Sequence, residues 1–121
     1  MPGTLPDVVE RVRRFALTLP AAVEEFPWGH SAIKVRKKVF VFLPRADGYE
    51  ESASISVKLP ESADLALAVP GAAPTGYGLG RAGWVTLRLE AGACPPADLL
   101  CEWVRESYRA VAPKRLASEA R

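Results

Sequence analysis

The chain is short of the residues from which metal centres and nucleophilic sites are usually built. Among its 121 residues there is one histidine, His30, and there are two cysteines, Cys94 and Cys101. A lone histidine cannot supply a two-histidine metal centre. The cysteines stand seven apart, with no Cys-x-x-Cys pair to begin a zinc site. Both are read as reduced thiols, Cys101 on a helix, and no metal or cofactor is expected. No apolar run approaches the roughly 18 residues that cross a bilayer. The opening Met1-Pro2-Gly3 has neither a basic nor an apolar leader segment, so the cytoplasm is the expected location. Charge of one sign is scarce as well. Sixteen Lys and Arg against fourteen Asp and Glu leave a net +2, well below what a dedicated nucleic-acid coat carries. With no repeat and no Ser/Gly linker, one domain over residues 1–121 is expected, large enough to fold around a core without staples.

Catalysis finds little to work with. Ser31 beside His30 is a poor nucleophile, because the base must lie across the site from the hydroxyl rather than next to it in sequence. Glu24 and Glu25 are adjacent, so on a strand they point to opposite sides and cannot act as a general acid/base pair. The glycine-rich stretch Gly76-Tyr77-Gly78-Leu79-Gly80-Arg81 has no Gly-Lys-Ser/Thr ending and leads into a strand rather than a helix N-terminus. It is read as a flexible connection, with a binding role for Arg81 as the minority reading. No catalytic constellation emerges, and a non-enzymatic protein is expected.

The elements are more legible. Val8, Val12, Phe15, Ala16 and Leu19 recur at helical spacing over residues 4–19, with Glu10 and Arg14 as a favourable i,i+4 pair. Pro20 stops that helix. Residues 32–35 and 38–43 are β-branched and aromatic, and only Arg36-Lys37 separates them, the length of a tight hairpin turn that prefers Asn-Gly. A further strand is expected over 54–59, a short helix over 61–69, loop over 72–83, and a cleanly alternating strand over 84–89. Residues 23–28 could add a short strand. The last helix follows Pro96 as an N1 proline, with Leu99, Leu100, Trp103, Val104, Tyr108 and Val111 as its apolar stripe. Residues 114–121 read as a frayed tail. The expected fold class is α+β: a mainly antiparallel sheet of about five strands, with N- and C-terminal helices packed on one face. The second face stays open for a partner.

The basic cluster is the most informative local feature. Lys34, Arg36, Lys37 and Lys38 fall within five positions around the hairpin turn. Such a tip can track phosphates. It can equally protect a sheet edge from pairing with other chains. Of the three tryptophans, Trp103 belongs to the core stripe, Trp84 opens a strand and is expected half-buried, and Trp28 lies in a turn just before the hairpin. Packing and base stacking are both open to Trp28.

The string Glu25-Phe26-Pro27-Trp28-Gly29-His30, followed by Lys34-Val35 and Lys38-Val39-Phe40, resembles the opening signature of the MmcQ/YjbR family of small bacterial proteins. The resemblance continues through Ser56-Val57-Lys58-Leu59, Pro70-Gly71, Trp84-Val85-Thr86 and Ser107-Tyr108, covering nearly the whole chain in order. It implies a CyaY-like α+β fold and the "double wing" description, in which two strand-built wings contact DNA. The chain departs from the family in two places. Its hairpin turn is Arg36-Lys37 where Gly-Gly is common, and Gly80-Arg81-Ala82-Gly83 replaces a polar run before Trp84.

The resulting expectation is a non-enzymatic DNA-binding domain. Lys34, Arg36, Lys37, Lys38 and Lys58 would contact the phosphate backbone, together with Arg81, and Trp28 and Trp84 would flank them. Binding should be weak, salt-dependent and largely indifferent to sequence. The alternative is a protein-interaction or small-ligand module on the open sheet face. An iron-handling role, suggested by a CyaY-like fold, wants a clustered acidic ridge. The first helix instead mixes Asp7 and Glu10 with Arg11, Arg13 and Arg14.

Overall fold

The computed structural model describes residues 5–26, 31–44, 52–76, 82–90 and 95–119. Helix α1 (Leu5–Thr18) leads into strand β1 (Ala22–Glu25). Then come β2 (Ser31–Val35), β3 (Lys38–Leu43) and β4 (Ser52–Lys58). A short helix α2 (Ala63–Leu67) precedes β5 (Ala72–Pro74) and β6 (Trp84–Glu90). Helices α3 (Ala97–Val111) and α4 (Lys114–Glu119) close the chain. Among the described residues the strands form one six-stranded sheet in the order β1-β2-β3-β4-β6-β5, and every pairing is antiparallel. The fold is α+β, as expected.

Alternation along the strands places the core. Ile33, Val41, Val57 and Val85 are cross-strand partners in one row, and all are buried. They face the apolar sides of α1 and α3, where Val9, Val12, Ala16, Leu100, Trp103, Val104 and Tyr108 join the same cluster. The opposite face carries the row Glu25, Ala32, Phe42, Ser56, Thr86 and Ala73, one residue from each strand. On it the hydroxyls of Ser56, Thr86 and Thr75 are linked at 2.8 and 2.9 Å.

The ladder between β2 and β3 shifts after Ile33. Ile33 pairs with Val41 and Lys34 with Val39, leaving Phe40 as the extra residue of a bulge. That lets Phe40 and Val41 both enter the core, and the Phe40 ring meets Tyr108 edge-on at 5.1 Å. The buried Ser107 hydroxyl donates to the Phe40 carbonyl and accepts the Lys58 amide at 2.8 Å. One α3 side chain thus satisfies two backbone groups where the β3–β4 ladder ends.

Four expectations need correction. The stretch 72–83 contains strand β5, which has no β-branched residue and exists through its pairing with β6. Pro74 is tolerated there because β5 is an edge strand. Gly71 turns the chain into β5 at φ +88°, with the Arg88 carbonyl 3.0 Å from where a Cβ would stand. The tail folds as α4, anchored by buried Leu116. Pro96 is the N-cap of α3, extended at ψ 141°, rather than its first helical residue. Leu99, assigned to the core stripe, is 39% exposed.

Candidate nucleic-acid interface

The hairpin that carries the basic cluster is built against local preference. Arg36 and Lys37 adopt φ of 51° and 70°, as a type I′ turn requires at both central positions. Each left-handed residue with a Cβ costs roughly 1–2 kcal/mol, a cost that Asn-Gly in this turn would largely avoid. The strands pinning the turn are strong enough to impose it, because Val35, Phe40 and Val41 are fully buried.

Register decides which cations share a surface. Arg36, Lys37 and Lys38 are exposed at the turn. Lys58 ends β4 at the same end of the sheet, joined to Phe40 through Ser107. Among the described residues none of these four is in an ion pair. Lys34 differs. It lies opposite Val23 and Val39, on the face away from Val35, and its Nζ is 2.9 Å from the Glu25 carboxylate. Lys38, paired with Val35, belongs by register to the other face. Among the described residues the four-cation cluster of the sequence is therefore a free tip, Arg36 to Lys38, plus one neutralised lysine. Exposed Glu61 follows β4, and its amide and that of Ser62 are held by the Glu106 carboxylate at 2.9 Å. These acids bound the basic surface on its helix side.

Trp84 is Lys58's cross-strand partner on the open face. It is 8% exposed, more buried than expected, and its ring lies 5.6 Å from that of Phe42. It supports Lys58 and offers little surface for a base to stack on. Trp28, Arg81, His30 and Cys94 lie outside the described residues.

The polar cluster that the sequence did not single out is Glu24. Its carboxylate is 10% exposed and receives Arg13 Nη2 at 2.7 Å, Arg13 Nε at 2.9 Å and the Ser31 hydroxyl at 2.6 Å. The Arg13 hydrogen bonds hold its pKa below the usual value of 4.5 against the opposing effect of burial. The same pairing raises that of Arg13. Ser31, only 2% exposed, is thus committed to a carboxylate and joins two strands to α1. The alternation that sends Glu24 inward and Glu25 outward was legible; the arginine eleven residues earlier was not. Cys101 is buried on α3, which raises its thiol pKa, and burial of this kind leaves a thiol inert.

On the helix side a groove of about 710 Å³ is lined by Leu65, Leu99, Trp103, Arg105 and Arg109, among others. Arg105 there is paired with Glu102 at 2.6 Å and lies over the Phe15 ring. Among the described residues no group of three or more His, Cys, Asp or Glu could hold a metal ion, and no helix is long and apolar enough to cross a membrane.

Among the described residues the fold and this surface define a class: one antiparallel sheet backed by two long helices, with cations outside any ion pair at one sheet end. Within that class the chain belongs to the YjbR family, whose family model matches residues 17–110, from the end of α1 to the last turn of α3. The comparison with curated proteins found no match.

Proposed function

We propose that this protein is a non-enzymatic DNA-binding domain that holds the phosphate backbone weakly through the basic end of its sheet. The single observation that carries the reading is that Arg36, Lys37, Lys38 and Lys58 all lie at that end, Lys58 on the open face and Lys38 by register on the other, none of them in an ion pair among the described residues. Lys34 contributes only by leaving Glu25, so four cations are assigned to phosphates from the described residues. Arg81, the further cation expected at this surface from the sequence, lies outside the described residues and is not counted among the four. The family's double-wing description fits this reading.

Four phosphate contacts imply a slope of about −3 to −4 for log affinity against log salt concentration. A titration of labelled duplex DNA at low and at near-physiological salt tests this. Binding that tightens as salt falls supports the reading; no binding at either salt, or binding indifferent to salt, removes it.

A second reading, a protein-docking module, is favoured by a specific observation. Leu65 and Leu99 are 71% and 39% exposed in the helix-side groove, not on the open sheet face where such a site was expected from the sequence. Leu65→Glu should leave DNA affinity unchanged under the first reading.

A further inference from the structure

The turn itself carries more than charge. We propose that Arg36 reads the narrow minor groove of A·T-rich duplex DNA, with Lys37 and Lys38 on the flanking phosphates. This rests on the DNA-binding reading above and goes beyond it by naming a groove and a base composition.

Three observations lead there. Both turn positions are held at left-handed φ, 51° and 70°, where turn chemistry alone favours Asn-Gly. Long cationic side chains occupy them nonetheless, and strained positions that the surrounding structure over-determines cluster at ligand clamps. Second, the ribbon does not project as an arm. Val35 is fully buried and Val39 half-buried, so between them the exposed residues of the ribbon are 36–38. A hairpin seated this way cannot lay its backbone in a major groove roughly 8.5 Å deep, whereas a single side chain can enter a minor groove about 6 Å wide. Third, the tip cations are unpaired among the described residues, while Lys34 two residues back is neutralised by Glu25. Within the hairpin, free charge among the described residues thus lies on three consecutive side chains, Arg36 to Lys38.

The choice of arginine fits the same picture. A narrow A-tract minor groove concentrates negative potential, and a guanidinium sheds its water more readily than an ammonium. Arg36 is the arginine of the tip, with lysines beside it.

The experiment compares the full chain on two labelled duplexes of equal length at one low salt concentration, one containing an A-tract and one only G·C pairs. The wild type should favour the A-tract about tenfold, the scale of one good groove contact. Arg36→Lys, conservative at an exposed turn, should still bind both duplexes but with the preference reduced to near parity. A drug that occupies A·T minor grooves should displace the wild type from the A-tract. Equal, salt-dependent binding of the wild type to both duplexes overturns the minor-groove assignment and leaves the DNA-binding reading standing. An A-tract preference unchanged in Arg36→Lys overturns the role of Arg36. Absence of binding to either duplex overturns both.

Discussion

Arg13 on α1 holds Glu24 on β1 in a fork, Nη2 to Oε1 at 2.7 Å and Nε to Oε2 at 2.9 Å. With the Ser31 hydroxyl on the same carboxylate, the pair ties the first helix to the first two strands. Glu24→Gln removes the charge while keeping the shape, and should destabilise the fold by about 2 kcal/mol, within the range for hydrogen bonds to charged groups. Glu25→Gln, at a carboxylate 55% exposed beside Lys34, should change stability by less than about 0.5 kcal/mol. Urea unfolding of the two variants side by side measures the contrast.

The same carboxylate sets an acid limit. Its folded pKa lies below the ordinary 4.5 because Arg13 favours the charged form. Its contribution is therefore fully present above 4.5 and is lost as pH falls through the lower folded value. The stability difference between wild type and Glu24→Gln should be flat near neutral pH and shrink below 4.5. A difference that grows on acidification contradicts the assignment.

Ser107→Ala should be costly for one hydroxyl. It leaves the Lys58 amide and the Phe40 carbonyl without their shared partner, at about 2–3 kcal/mol for buried backbone groups. Hydrogen exchange at the Lys58 amide should accelerate with it, which a general packing defect in α3 would not single out.

Arg36→Asn combined with Lys37→Gly should stabilise the protein. Both residues sit at left-handed φ, and the exchange relieves about 1 kcal/mol or more of backbone strain. The urea midpoint should rise with an unchanged slope. A fall would show that the tip side chains contribute contacts that outweigh the strain.

Much of the fold could be read in advance because periodicity is a local property. Val12, Phe15 and Ala16 announce α1, Trp84 to Leu89 announce β6, and the spacing of Leu100, Trp103, Val104 and Tyr108 announces α3. What escaped depends on partners distant in sequence. Strand β5 is a strand only beside β6, and α4 is fixed by Leu116 reaching the core. The Phe40 bulge is hidden in a run that alternates regularly on paper. At the candidate site the clustering of cations was visible, but its division was not. Whether Lys34 is free depends on Glu25 across the β1–β2 register, and no spacing rule reveals that. The position of Trp84 at the start of a strand predicts half-burial, and nothing in its spacing shows the Phe42 ring packed against it.

The most direct test is the salt dependence of duplex DNA binding by the wild type and by a variant carrying Arg36→Glu, Lys37→Glu and Lys38→Glu. Wild-type affinity should fall steeply as salt rises, and the variant should bind at least about a hundredfold more weakly at low salt, since several phosphate contacts are both lost and reversed in sign. Equal affinity of the two proteins, or wild-type affinity that does not respond to salt, would contradict the account.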